Sequence, residues 1–401
     1  MKLSTFEQML SSTCVRAAVF LETIPSKEEI ENRLQEFTKI YPILNSRIGD
    51  GNIYSDSKPV ITETNIGDCS DLNETDFMTK VLSNIFSSCF VEFFIISRSN
   101  DKKGALLLSL CHSLCDGPIV GQMLADFVSN NNRKETVHHI PQDEVVKSLN
   151  KSEFSMQPKE YFNSSEFPQL VIPPPLPELL ASKEKLYYRG ICVDFDVKSI
   201  LSVCHELKIR PQAFFSAADV YAICKSIKQT SPFSIVNQIS VNTRRFVNVN
   251  PLMPTCYAAP VYVASSVDSQ TTAKDFMIHI QKEVEREVPK YCIDHLIGYT
   301  KGQFPPAESQ SLISNVGIIE SDYPIWIQGG MTDIPEAARA KRGFTSHLAT
   351  SKSKNGAFDA GCAVLTFLTP SCDQEFVDEM VNRISWFLKN PTEALKVKFI
   401  E

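Results

Sequence analysis

His112-Ser113-Leu114-Cys115-Asp116-Gly117 is the short stretch in which residue types and spacing suggest bond-making chemistry. A neutral imidazole, with an ordinary pKa near ~6.5, accepts a proton around neutrality. His112 therefore suits a general base for an alcohol or amine nucleophile. Asp116 follows four residues on, past a turn, where a carboxylate is better placed for an ion pair than for contact with substrate. Gly117 lets the chain turn into the next element without a side-chain clash. Read purely as structure, the same residues make a satisfied strand-end histidine and a helix N-cap at Asp116. Other chemistries are weaker. Cys111, His112 and Cys115 are too few and too tightly spaced for zinc, so no metal is expected. A thiol nucleophile is open chiefly to Cys115, because adjacent strand residues point to opposite faces, which turns Cys111 away from His112.

Local patterns show what must position this stretch. Residues 105–111 are nearly all leucine and read as a strand buried on both faces. His112 shares parity with Leu106, Leu108 and Leu110 and ends their stripe, at the strand end where ligand-facing side chains collect in α/β sheets. Pro118 suits the first turn of a helix, and Ile119, Val120, Met123, Leu124, Phe127 and Val128 recur with a period near four. Earlier, 15–21 reads as a strand. Ser26 and Glu29 form a capping box for a helix with Ile30, Leu34, Phe37 and Ile40 on one face. A second helix is predicted around Phe77 to Phe86, and a strand over 90–96. Residues 129–185 are polar and then Pro-rich, ending in Ile172-Pro173-Pro174-Pro175-Leu176-Pro177, a stiff crossing segment. Beyond it, helices are predicted at 197–207, from Pro211, at 273–287 and at 375–388. Strands are predicted at 234–241, 258–265, 312–319 and 362–368.

The whole chain bounds these readings. A single core stops growing near ~250–300 residues, so 401 residues imply two units: a lobe over 1–165, a linker over 166–185 and a lobe over 186–401. A net charge of -7 argues against nucleic acid as partner. Only 15 glycines occur, and none forms a phosphate-cradling loop, which disfavours Rossmann and P-loop nucleotide sites. The 12 cysteines are scattered and no secretion signal is apparent, so buried thiols in the reducing cytoplasm are expected. No run of ~18 apolar residues suggests a membrane span, and a monomer is expected.

The spacing from His112 to Gly117 resembles the His-x-x-x-Asp-Gly signature of the coenzyme A-dependent acyltransferases related to chloramphenicol acetyltransferase. That superfamily includes alcohol O-acetyltransferases, polyketide-associated acyltransferases, plant BAHD enzymes and condensation domains of peptide synthetases. Tyr41-Pro42-Ile43-Leu44-Asn45-Ser46-Arg47 resembles the end of its first helix. Val241-Asn242-Thr243-Arg244 resembles its Asn-x-Arg strand, and Ser314-Asn315-Val316-Gly317 the Ser-Asn-x-Gly strand of the alcohol acetyltransferase branch. The chain lacks the Asp-Phe-Gly-Trp-Gly motif of the plant enzymes, and Cys111 replaces the first of two histidines usual in condensation domains. Both departures point to the alcohol acetyltransferase branch.

The resemblance implies an α/β fold of two chloramphenicol-acetyltransferase-like lobes, each a mixed sheet flanked by helices, with a channel between them. It implies His112 as general base and an ion pair from Asp116 to Arg244, with Arg245 as substitute if the register slips. Gly117 and Asn242 would support the site, and Ser314 and Asn315 would line the channel or help the oxyanion. The implied donor is acyl-CoA, a co-substrate rather than a tightly bound cofactor, and the acceptor a small molecule with a hydroxyl group. Arg339, Lys341, Arg342, Lys352 and Lys354 form a basic stretch that would either meet the phosphates of coenzyme A or face water as a loop. Two alternatives stand beside this: a stand-alone condensation-type enzyme using a carrier-protein thioester with an amine or alcohol, and a non-catalytic binding descendant. His295 and His347 have no assignment at this level.

Overall fold

The computed structural model describes every residue except 87–89, 100–101, 131–132, 134, 150, 152, 164, 307 and 401. Its strands are β1 Thr13–Leu21, β2 Arg47–Gly49, β3 Asn52–Tyr54, β4 Val60–Asn65, β5 Val91–Ser97, β6 Gly104–Cys111, β7 Tyr187–Phe195, β8 Phe233–Asn242, β9 Ala258–Val267, β10 Ser311–Glu320, β11 Trp326–Met331, β12 Phe344–Lys352 and β13 Asp359–Thr369. Helices of eight residues or longer are α1 Lys27–Ile40, α2 Glu74–Asn84, α3 Gly117–Val128, α4 Val197–Leu207, α5 Pro211–Ser226, α6 Ala273–Thr300 and α7 Gln374–Lys389. Among the described residues no helix is long and apolar enough to cross a membrane.

The first sheet has the order β11-β1-β6-β5-β4 and the second β7-β13-β12-β10-β8-β9, with β2 and β3 a separate hairpin. Alternation decides which layer each side chain joins. Val15, Ala17, Val19, Leu106, Leu108 and Leu110 pack with Ile30, Leu34 and Phe37 of α1 and with the apolar face of α3. Ala18, Phe20 and Leu107 point the other way, where Phe77, Met78, Val81 and Leu82 of α2 meet Cys192 of β7 and Val364 of β13. The two sheets thus share a core through α2. The far face of the second sheet is covered by α4, α5, α7 and the first half of α6. The fold is the mixed α/β, two-sheet architecture with flanking helices that the sequence implied.

Two features bind the halves of the chain into one body. β11, from the second half, completes the first sheet by pairing antiparallel with β1, from Thr13↔Met331 to Ala18↔Trp326. α3 packs against β10 and β11 through two glycines one turn apart. A Cβ on Gly117 would stand 2.9 Å from Val316 Cγ2, and one on Gly121 would stand 2.7 Å from Ile327 Cδ1.

Local patterns placed the seven long helices and the strands β1, β5, β6, β8, β9, β10 and β13, but not β4, β7, β11 or β12, and packing changed two further readings. The sequence ended a helix at 287, but α6 continues through Pro289 to Thr300. Val288, Tyr291, Cys292, Leu296 and Tyr299 are buried there, so packing outweighs the hydrogen bond that proline omits. The basic stretch is only partly a surface loop, since β12 inside it is an interior strand between β13 and β10.

Candidate active site

β6 ends at Cys111, and the chain folds into a tight turn before α3. The His112 amide still donates to Thr13 O of β1 at 2.7 Å, and Leu114 N closes the turn on Cys111 O at 2.9 Å. Within this turn His112 Nδ1 lies 2.8 Å from Cys115 O. A carbonyl oxygen only accepts, so Nδ1 carries the hydrogen and Nε2 of the neutral ring is the basic atom. Ser113 Oγ donates to Glu7 O, tying the turn to the N-terminal segment.

Asp116 occupies the N-cap position of α3, yet its side chain does not cap the helix. Its Oδ2 instead accepts from Arg244 Nη1 at 2.7 Å and from Tyr257 N at 3.1 Å. The strand of the Asn-x-Arg segment stops at Asn242, and Arg244 begins a short helix, Arg244–Val247. Asn242 Oδ1 accepts from Arg244 N at 3.1 Å, which fixes the start of that helix. The remaining guanidinium donors reach Met253 O at 2.9 Å and Thr255 O at 2.6 Å. Arg245 is exposed and lies over Phe246, so it takes no part in this pair.

Gly117 has an ordinary helical backbone rather than the left-handed one that favours glycine. What it avoids is a clash from the other lobe: the absent side chain makes room for Val316 across the seam. Val316 is delivered by a bulge in the middle of β10, where pairing with β12 shifts between Asn315 and Gly317. Gly317 takes φ +90° there, and Asn315 Oδ1 accepts from Gly317 N at 3.1 Å. The segment is thus a bulge in the middle of the strand. Asn315 serves the bulge, whereas Ser314, the parallel-strand neighbour of His347, lies on the face opposite Ile313.

Sequence reasoning missed His347. It lies on β12 within the basic stretch, and only the alternation Ser346-His347-Leu348 hinted at a strand. Ser346 Oγ donates to Asp219 of α5 at 3.1 Å, and Leu348 joins the core on that side. His347 therefore points the opposite way, and a Cβ on Gly329 of β11 would stand 3.0 Å from its Nε2. Burial, with the charge of nearby His112 adding to it, pushes His347 down to about 3.

The other basic residues are dispersed. Arg342 Nη2 lies 2.6 Å from Asp373 Oδ2, and Arg339 pairs with Glu336 while donating to Glu184 O. Lys341 and Lys352 are exposed, and Lys354 is 3.9 Å from Glu320. A cavity of about 360 Å³ opens on the other face of β11, where Gly330 meets Tyr188 and where Cys14 and Arg16 form part of the lining. Arg16 there donates to Leu82 O in the last turn of α2, to Ile85 O just beyond it and to Gln328 Oε1. The eleven described cysteines are all unpaired and buried. Burial, then the charge of Asp116, holds the Cys115 thiol well above its ordinary range, so it stays protonated and is a poor nucleophile.

No family model matches the chain, and no curated protein matches it in sequence. Solved structures do match. The SgcC5 protein from Streptomyces globisporus has a TM-score of 0.63 at 10% identity, covering 99% of this chain and 100% of its own. Polyketide synthase associated protein 5 from Mycobacterium tuberculosis has a TM-score of 0.61 at 13% identity, over 98% of each chain. The condensation domain of the Monacolin K polyketide synthase MokA has a TM-score of 0.57 at 12% identity, over 99% of this chain and 98% of its own. At such identities the likeness is one of fold, and the chain therefore has the two-lobed fold of these proteins, with His112 in a turn that Asp116 ties to the second half of the chain.

Proposed function

We propose that the protein is an acyltransferase that moves an acyl group from a thioester directly to a hydroxyl acceptor, with His112 as general base. The observation that carries this is the 2.8 Å contact of His112 Nδ1 with Cys115 O, which leaves Nε2 as the basic atom. The acceptor oxygen attacks the thioester carbonyl carbon as its proton passes to Nε2. The tetrahedral intermediate collapses, the C–S bond breaks, and the leaving thiolate takes the proton back from His112. Ser314 is our candidate for polar lining of the channel. Asn315 is placed at one remove, through its bond to Gly317. No covalent enzyme intermediate is invoked, in keeping with the protonated Cys115.

We take acyl-CoA as the donor, with acetyl-CoA the first to be tried. Of the basic residues offered to its phosphates, Arg342 already has a carboxylate partner, which leaves Lys341 and Lys352 as the better candidates. A second reading, in which a carrier protein presents the thioester to an amine or alcohol, is favoured by the likeness to a condensation domain.

The test is release of free thiol from acetyl-CoA, or from an acyl-loaded carrier protein, against a panel of alcohols and amines. Thiol release that falls ~10²–10⁴-fold in His112→Ala, with the melting temperature retained, supports general-base catalysis. Activity with acetyl-CoA alone supports the first donor, and activity only with the loaded carrier supports the second. Turnover unchanged by His112→Ala removes His112 from the role. Silence with both donors points to a non-catalytic binding protein.

A further inference from the structure

Among the described residues none hydrogen-bonds to His347, a half-buried side chain at the seam between the lobes. It stands beside Ser314 in parallel register, on the face of the second sheet turned toward β11. Its Nδ1 is buried and, among the described residues, has no hydrogen-bond partner. Among the described residues nothing bonds to its Nε2, which packs against the space that Gly329 leaves open. Leaving a buried polar group unpaired typically costs ~1–3 kcal/mol. An apolar side chain of similar size would avoid that cost. A histidine at such a position fits a site where a bound molecule supplies the missing partner.

The two histidines differ in what holds them. His112 gives its Nδ1 hydrogen to Cys115 O and so offers a lone pair at Nε2. Among the described residues no carbonyl accepts a hydrogen from His347 Nδ1. Its buried surroundings disfavour the charged form, so near neutrality it carries one N–H that is free to be donated. One ring accepts and the other donates, which is the pairing that attack on a carbonyl requires.

We propose that His347 is a second catalytic residue, donating an N–H hydrogen bond to the oxyanion of the tetrahedral intermediate formed beside His112; this rests on the acyl-transfer reading above. As the acceptor oxygen bonds to the carbonyl carbon, its proton goes to His112 Nε2 and the carbonyl π pair moves onto oxygen. His347 holds that oxygen without giving up its proton. When the carbonyl re-forms, the C–S bond breaks and the thiolate leaves with the proton from His112. A neutral donor suits this place, because a cation at His347 would oppose the protonation of His112.

The experiment compares wild type, His112→Ala, His347→Leu and His347→Gln in thiol release, using acetyl-CoA or the acyl-loaded carrier, whichever the wild type accepts, and its best acceptor. Melting temperatures are measured alongside. His347→Leu is expected to lower kcat ~10²–10³-fold, with KM changed less than about threefold. Its melting temperature should be no lower than wild type, because the substitution removes an unpaired polar group. His347→Gln keeps an N–H and should hold kcat within about tenfold of wild type. A kcat for His347→Leu within about threefold of wild type, while His112→Ala is inactive, overturns this proposal and leaves the parent reading intact. A loss of kcat that comes with a lower melting temperature and is not rescued by glutamine also overturns it. A wild type silent with both donors overturns the parent reading, and this one with it.

Discussion

Arg244 Nη1 lies 2.7 Å from Asp116 Oδ2, across 128 residues of sequence, and the two side chains retain only 2% and 4% of their exposure. So little exposure means that neither charge can turn to water when its partner is removed. The pair joins the turn after β6 to the end of β8, and so fixes the orientation of His112 from the opposite half of the chain. We expect Asp116→Ala and Arg244→Ala each to destabilise the protein by ~3–5 kcal/mol, since each strands a buried charge. The double variant should lose clearly less than the sum of the two. Urea denaturation of the four proteins checks this, and strictly additive losses would show that the pair is not coupled.

What the sequence revealed and what it concealed divide along the range of the forces involved. The turn from His112 to Gly117, the helix opened by Pro118 and the capping box of Ser26 with Glu29 are written in neighbouring residues, so they are legible. The partner of Asp116 is not local, and Arg244 was reached through family resemblance rather than spacing. β12 was hidden because Arg339, Lys341, Arg342, Lys352 and Lys354 surround a strand of mixed polarity. Its interior position comes from β13 and β10 on either side, and His347 was concealed with it. β11 contains Gly329 and Gly330, poor strand formers, and its place beside β1 is set by packing far from it in sequence. Pro289 broke a pattern that the buried face of α6 sustains.

The seam between α3 and β10 makes a packing prediction. In Gly117→Ala the new methyl group would sit 2.9 Å from Val316 Cγ2. Val316 is β-branched and held by the bulge, so it has little freedom to swing away. We expect Gly117→Ala to cost ~1–3 kcal/mol, the usual range for overpacking. Val316→Ala in the same chain should recover part of this by vacating the contacted volume. Melting temperatures of the two single variants and the double variant provide the check, and a double variant no better than additive would place the strain elsewhere.

Asp219 makes a prediction about pH. It lies in the core of the second lobe, on α5, 1% exposed, and accepts from Ser311 Oγ at 2.5 Å and Ser346 Oγ at 3.1 Å. Burial pushes its carboxyl up to about 6, against 3.8 for an ordinary aspartate, and the two serine bonds offset only part of that rise. A folded-state value above the unfolded one means that the native protein binds the extra proton between these limits. The stabilising contribution is complete below pH ~4 and is lost as pH rises through ~6. Above that, the buried charge costs on the order of 2–3 kcal/mol relative to the neutral acid. Asp219→Asn keeps a side-chain oxygen for the serines and carries no charge. It should therefore flatten this site's part of the stability profile between pH 4 and pH 6 and leave the protein at least as stable as wild type at pH 7.5. Urea midpoints across this range decide the matter: an unchanged slope in Asp219→Asn would show that the carboxyl does not titrate there.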